Sequence, residues 1–191
     1  MYAEPATPGK EGLGNGTVKM ILTRDEILKE IEAGRIAIDP FDPTAVGPAS
    51  VDLRLGEEIR IFSPMPQVIP ITQEADYREI TYKVELAGSG YIIKPGELVL
   101  GITRERITLP ADIAGWLSAR SRFARLGLMV HISAPFMQPG ISNHQVLEIF
   151  NTGPNFLKLV PDERICQFVF DRCVGKAAYQ GTFARQQEGQ W

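Results

Sequence analysis

Three arginines stand close together in the segment "ARSRFARLG", which begins at Ala119. Arg120, Arg122 and Arg125 carry planar guanidinium groups, and such groups bind phosphate oxygens through paired N–H donors. Ser121 lies in the same run and would share a helix face with Arg125. The cluster indicates an anion-binding site. The alternative is a solvated basic turn that pairs with surface acids.

A single carboxylate, Glu148, interrupts the apolar run "QVLEIFN". A carboxylate on a half-buried strand needs hydrogen-bonding or charged partners, because burial away from water disfavours an isolated charge. An acid held in this way is suited to moving protons during a reaction. The alternative is a strand acid that faces solvent.

The cysteines and histidines do not form a recognisable zinc motif. Zinc-dependent deamination of a nucleobase requires H-x-E and a distant P-C-x-x-C. Here His131 and His144 are followed by Ile-Ser and Gln-Val, and no C-x-x-C is present. We therefore expect no zinc and interpret both histidines as structural or surface residues rather than ligands. Cys166 and Cys173 lie in apolar contexts and are predicted to be unpaired core or near-core thiols.

The composition is that of an ordinary globular domain. The chain has 191 residues, of which 44% are apolar and 23% charged, with a net charge of −3. This length suits one domain, and the absence of a basic excess argues against binding to a nucleic-acid polymer. No apolar run reaches the roughly eighteen residues of a membrane span, and the N-terminus lacks a signal-peptide pattern. We expect a cytoplasmic protein without a membrane partner.

The elements that must position these side chains are mostly short strands. Residues 1–19, rich in glycine, proline and small residues, predict a flexible N-terminal extension before a catalytic domain at 20–175 and a tail at 176–191. The segment "TRDEILKEIEAGRI" predicts a helix that begins with a Thr23 to Glu26 capping box and ends at Gly34.

Further along the chain, alternating apolar and polar residues predict strands. The pattern is clear in "SVDLRLGEEIRIF", and both "YIIKPGELVLGITRERITLP" and "FLKLVPDERICQFVF" predict a strand, a turn and a second strand. Because these strands do not alternate with long helices, we expect a largely antiparallel sheet. The "ARSRFARLG" segment predicts one or two helical turns that end at Gly127.

Several motifs together resemble one known family. The runs "GRIAIDPFDPTAVGPASVDLRLG", "KPGELVLGITRERITLPADIAGWLSARS", "ARSRFARLGLMVHISA" and "VLEIFN" look like dCTP deaminases of the trimeric dUTPase superfamily. The resemblance runs from about Met20 into the tail. It implies a mainly β, dUTPase-like distorted β-barrel (β-clip) with a few short helices, assembled as a homotrimer with sites at subunit interfaces. It also implies zinc-free deamination of dCTP to dUTP and ammonia, with Mg²⁺ bound on the triphosphate rather than on protein side chains.

The resemblance also assigns roles to individual residues. Glu148 matches the catalytic glutamate, and the resemblance implies a buried proton shuttle that takes a proton from water and passes it to the cytosine ring nitrogen and the leaving amine. Ser121 and the carbonyl of Ala134 match groups that orient this water. Arg125 matches the arginine beside the base and the water, and Arg120 matches a triphosphate contact.

Other positions depart from the family pattern or match it loosely. Gln138 stands in "FMQPG" where an aspartate is common, and this argues against a plain dUTPase and leaves the sugar contacts open. Arg122 replaces a second serine and would contact phosphate or face solvent. Ser133 begins the altered wall "SAPFM" beside the base, so a modified cytosine or dCMP remains an alternative substrate.

The tail "AYQGTFARQQ" resembles the segment that folds over the nucleotide in this family. Tyr179, Arg185 and Gln187 are its candidates for base stacking or phosphate contact. An ordinary polar tail is the alternative.

Four functions are compatible with these residues. The leading hypothesis is a deaminase that releases dUTP, and the second is a bifunctional enzyme that forms dUMP and pyrophosphate. The third, a dUTPase, is disfavoured by Gln138. The fourth is a non-catalytic nucleotide-binding module of the same fold, and the joint presence of Glu148 and Ser121 argues against it.

Overall fold

The computed structural model describes residues 21–86, 88–181, 183–184 and 191. The predicted N-terminal extension, residues 1–19, lies outside this range. The helical elements are α1 (Arg24–Glu32), α2 (Ser121–Ala124) and two one-turn 3-10 helices, Pro43–Ala45 and Tyr77–Glu79. The strands are β1 (Ala37–Asp39), β2 (Val51–Phe62), β3 (Thr81–Glu85), β4 (Tyr91–Ile93), β5 (Leu98–Thr108), β6 (Ile113–Ala119), β7 (Leu128–Val130), β8 (Phe136–Met137), β9 (Ser142–Asn151), β10 (Leu157–Leu159) and β11 (Arg164–Arg172).

One nine-stranded sheet dominates the described part of the chain. Its strand order is β7-β9-β5-β2-β11-β6-β8, with β1 added beside β5 and β3 beside β2, and β4 and β10 form a separate pair. All of these pairings are antiparallel, which confirms the predicted sheet type. The predicted mainly β fold with a few short helices is likewise confirmed.

The two longest strands, β2 and β5, connect the two halves of this sheet. The first part of β2 pairs with β11, whereas its second part pairs with β3 and β5. Register shifts interrupt the pairing between β2 and β5 and the pairing between β5 and β9. Such irregularities bend strands and increase their twist, so the sheet curls around its apolar side.

Helix α1 closes one side of the core. It begins after Thr23 and ends before Gly34, whose φ of +67° suits glycine. The predicted capping box is wrong, because the Thr23 side chain makes no capping hydrogen bond, and the Glu26 carboxylate instead accepts a hydrogen bond from Lys29 at 2.5 Å. Ile27 is fully buried and anchors the helix to the sheet.

The core lies between α1 and the apolar faces of the long strands. Phe168 and Phe170 of β11 are completely buried, with ring centroids 4.6 Å apart. Cys166 is buried and Cys173 is half-buried, and both are unpaired, as predicted. Burial raises the pKa of the Cys166 thiol, which makes it an unreactive core residue. None of the helices in the described residues is long and apolar enough to cross a membrane.

Candidate active site

Glu148 owes its position to the strict alternation of β9. Its neighbours Leu147 and Ile149 are completely buried in the core, so the carboxylate projects from the opposite face of the sheet. The side chain is 31% exposed in the single chain. Glu148 is therefore half-buried in the single chain, whereas the resemblance implied a buried acid.

The face that carries Glu148 forms one wall of a cavity of about 570 Å³. A volume of this size suits a small-molecule or cofactor ligand. Most of the lining is apolar, with a few polar groups that could orient a ligand. The lining residues are Phe62, Tyr77, Leu98, Leu100, His131, Ala134, Phe136, Met137, Gln138, Ile141, Asn143, His144, Gln145, Val146, Glu148, Tyr179 and Phe183.

His131 is the functional candidate that sequence reasoning missed. It follows β7 with a left-handed φ of 55°, which strains a residue that carries a side chain. Its main-chain N–H donates to the carbonyl of Glu148 at 2.7 Å, and its ring is buried. The pairing of β7 with β9 creates this contact, so no local sequence signal pointed to it.

The imidazole of His131 links two predicted catalytic groups. Its Nε2 lies 2.7 Å from the carbonyl oxygen of Ala134 and must donate, because a carbonyl only accepts. Its Nδ1 lies 4.0 Å from Oε2 of Glu148 and has no hydrogen-bond partner among the described residues. In the neutral ring Nδ1 is then an acceptor that faces the carboxyl group. At 4.0 Å the two atoms are not hydrogen-bonded, and Nδ1 could accept a hydrogen bond from protonated Glu148 only after the side chains move closer together.

The turn that follows His131 also contacts the carboxylate of Glu148. The main-chain N–H of Ser133 donates to Oε2 of Glu148 at 3.3 Å. Ala134 and Gln138 both line the cavity, as their predicted roles require. We call His131, Ser133, Ala134 and Glu148 the acid region.

The arginine cluster lies on and around α2. Its segment forms one helical turn, with the N–H of Arg125 donating to the carbonyl of Ser121 at 3.1 Å. Ser121, Arg122 and Arg125 are exposed. In the described chain, none of these three residues or Arg120 lines the cavity that contains Glu148. We call Arg120, Ser121, Arg122 and Arg125 the basic region.

Arg120 is the one member of the basic region with a fixed partner in the described contacts. Its guanidinium lies 3.1 Å from a carboxylate oxygen of Asp52 and donates to the carbonyl of Arg164 at 2.9 Å. Burial raises the pKa of Asp52, and the charges of Arg120 and Arg164 oppose this effect. The ion pair therefore holds the Arg120 side chain against the start of β2.

The start of the tail lies along the rim of the cavity. Tyr179 lines the cavity, and its N–H donates to the carbonyl of Pro139 at 2.9 Å. Gly140, at φ +80°, permits this approach, because a Cβ there would lie 2.7 Å from the Cβ of Ala178. The Asn143 side chain donates to the carbonyl of Phe183 at 2.6 Å. The other tail candidates, Arg185 and Gln187, lie outside the described residues.

Fold and site together define a class of protein. A curled antiparallel sheet presents an acid, a histidine and a main-chain carbonyl to a cavity sized for a small molecule. The described residues contain no group of three or more histidine, cysteine and acidic side chains that could hold a metal ion. A cavity of this kind on a β-sheet is typical of an enzyme that acts on a small-molecule substrate.

Comparison with known proteins identifies the family. The model of the dCTP deaminase-like family matches residues 21–173, and the chain therefore belongs to that family. A relative from Nocardioides sp., named "dCTP deaminase, dUMP-forming", is 42% identical over 156 residues, covering 80% of both chains. A relative of the same name from Clavibacter michiganensis is 38% identical over 177 residues, covering 90% of this chain and 87% of the other.

A solved structure supports the fold. The crystal structure of 2'-deoxycytidine 5'-triphosphate deaminase from Agrobacterium tumefaciens matches with a TM-score of 0.64 at 22% identity. The match covers 81% of this chain and 48% of that longer chain. The similarity confirms the predicted dUTPase-like fold class.

Proposed function

We propose that this protein is a dUMP-forming dCTP deaminase. It hydrolyses the exocyclic C–N bond of dCTP to release ammonia, and it cleaves the triphosphate to give dUMP and pyrophosphate. The observation that carries the proposal is Glu148 in a small-molecule cavity, in contact with the His131–Ala134 turn. The dUMP-forming names of these relatives favour the bifunctional alternative over release of dUTP.

Glu148 is the proton carrier of the deamination. It removes one proton from the attacking water and delivers it to the cytosine ring nitrogen. It then transfers the proton of the newly bound hydroxyl to the departing amine, as the carbonyl forms and the C–N bond breaks. His131 would support this exchange, because its Nδ1 has no hydrogen-bond partner among the described residues and lies 4.0 Å from the carboxylate, where a small approach of the two side chains lets it accept from protonated Glu148. Precise placement of water and acid replaces the activation that a zinc ion supplies in other deaminases.

The water is held by main-chain groups near Glu148. The carbonyl oxygen of Ala134 has two lone pairs, and His131 occupies one of them at 2.7 Å. The second lone pair is available to accept a hydrogen bond from the water. Gln138, also in the cavity wall, offers an amide that can both donate and accept toward the sugar.

The basic region completes the site from a neighbouring copy. Ser121 and Arg125 are exposed and do not line the cavity of their own described chain. In a homotrimer each cavity would receive Ser121 beside the water, Arg125 beside the base, and Arg120 and Arg122 against the triphosphate. Closed rotational symmetry provides three equivalent sites of this kind.

Magnesium would enter with the nucleotide. The described residues contain no acidic cluster to hold a metal ion, whereas the basic region offers arginines for phosphate oxygens. This composition is compatible with a Mg²⁺ ion that is bound by the triphosphate itself. The ion would neutralise part of the phosphate charge. Since its substrates are cellular nucleotides, we place the enzyme in the cytoplasm.

The test is product analysis with dCTP and magnesium. We expect ammonia, dUMP and pyrophosphate in equal amounts when the products are separated by chromatography. Ammonia with dUTP alone would overturn the dUMP-forming step and leave the deaminase. Binding of dCTP without any product would favour a non-catalytic module, and turnover confined to dCMP or a modified cytosine nucleotide would overturn the assigned substrate.

A further inference from the structure

Trp191 is buried on the face of the sheet that carries Glu148. The side chain is only 1% exposed, and its indole N–H donates to a carboxylate oxygen of Glu58 at 3.1 Å. Its main-chain oxygen accepts a hydrogen bond from Nη1 of Arg60 at 2.8 Å. Its ring forms a cluster with Leu100 and Ile102. We call Glu58, Arg60, Tyr77, Leu100 and Ile102 the indole seat.

Arg60 organises the indole seat. The guanidinium lies 5.7 Å from the ring centroid of Tyr77 and 5.9 Å from that of Trp191. The residue is 7% exposed, and its Nε donates to the hydroxyl of Thr81 at 2.7 Å. A buried arginine fixed in this way contacts both the aromatic ring and the main-chain oxygen of Trp191, so the indole seat suits a segment that carries a tryptophan.

The indole seat and the cavity share a wall. Leu100 of β5 lies directly opposite Glu148 of β9, and Ile102 lies opposite Val146. The side chains that both pack in the Trp191 cluster and line the cavity are Phe62, Tyr77, Leu100 and Val146. Removal of the indole would leave these side chains without one of their packing partners.

We propose that Trp191 is a positioning residue, and that its binding in the indole seat is coupled to nucleotide binding in the adjacent cavity. The docked indole fixes the apolar wall beside Glu148, so a nucleotide that uses this wall binds more tightly when the seat is filled. Coupling is reciprocal, and bound nucleotide therefore stabilises docked Trp191. The identity of the nucleotide rests on the proposed function, whereas occupation of the seat does not.

Occupation of the seat is measured by fluorescence without turnover. The chain has two tryptophans, so Trp116→Phe leaves Trp191 as the sole emitter. We expect blue-shifted emission with strong protection from acrylamide, and greater protection after dCTP is added. The matched variant Trp191→Phe leaves only Trp116, which is 44% exposed and should be quenched readily. Quenching of Trp191 as strong as that of Trp116 would overturn the seat.

Coupling is measured by kinetics and chemical rescue. Trp191→Ala should raise the KM for dCTP by about fivefold or more while kcat changes less. Free indole should restore the KM of this variant without affecting the wild type. The control Phe156→Ala removes an aromatic side chain that is 68% exposed and outside the cavity. An unchanged KM in Trp191→Ala, or a raised KM that indole does not restore, would overturn the coupling. Inactive wild type with protected Trp191 would count against the proposed function and leave the seat intact.

Discussion

The acid region and the basic region are built in opposite ways. Glu148 stands on the central part of a long strand, and the turn that begins at His131 holds it through main-chain and side-chain contacts. The basic region stands on a single helical turn, where Ser121, Arg122 and Arg125 are exposed. One region is complete inside the chain, whereas the other presents its donors outward.

This difference indicates how the two regions would work. The acid region would fix the reacting groups of the proposed reaction, because proton transfer requires positions accurate to a fraction of an ångström. The basic region would serve a neighbouring copy, since long exposed arginines can reach across an interface to phosphate oxygens. Variants that separate the two regions test this division directly.

The largest effect is expected at the carboxylate. Glu148→Gln keeps the size and hydrogen-bonding reach of the side chain but cannot accept and return a proton. Deamination should fall by roughly 10²- to 10⁴-fold, while calorimetry should show dCTP binding close to that of the wild type. The control Glu163→Gln alters an exposed acid outside the cavity and should retain full activity. Near-normal turnover of Glu148→Gln would remove the proton-carrying role.

Mixing two inactive variants tests whether the regions meet between copies. Glu148→Gln lacks a functional acid region, and Arg125→Gln lacks a functional basic region. After both are unfolded together and refolded, random assembly should restore about one quarter of the sites if each site combines two neighbouring copies. Ammonia release by the mixture measures this recovery, with each variant refolded alone as the control. No recovery in mixed oligomers would place both regions within one chain.

The sequence was sufficient for the elements and for part of the site. Helix α1 and the long strands β2, β5, β9 and β11 follow apolar periodicities that local physics determines. Glu148 was identifiable because a carboxylate in an apolar strand is unusual. The resemblance assigned Ala134 and Gln138, and the structure places both in the cavity with Glu148.

The rest depended on contacts between distant segments. His131 lies against Glu148 only because β7 pairs with β9 and the backbone turns left-handed at that point. Trp191 reaches β2 and β5 through tertiary packing that no spacing reveals. The partial exposure of Glu148 likewise depends on which elements cover its face of the sheet. The residue pattern of a single strand does not specify that covering.

A smaller effect is expected at the histidine. His131→Asn tolerates the left-handed backbone, since asparagine adopts it more readily than most residues, but removes the imidazole from Glu148. We expect kcat to fall by about tenfold to a hundredfold, because the Ala134 carbonyl loses its hydrogen-bond donor and Glu148 loses the neighbouring imidazole. His144→Asn, a second cavity histidine that contacts the carbonyl of Thr103, is the control. Equal losses in both variants would show that His131 has no special role.

The smallest effect is expected where the basic region is anchored. Asp52→Asn removes the charge that holds Arg120 at 3.1 Å, in a pair whose side chains are 20% and 25% exposed. The loss of such a pair weakens positioning by about 1 kcal/mol, so KM for dCTP should rise by roughly fivefold with kcat nearly constant. Asp42→Asn makes the same chemical change beside Arg164 and serves as the matched control. A fall in kcat at constant KM would instead connect Asp52 with the acid region and break the division between binding and proton transfer.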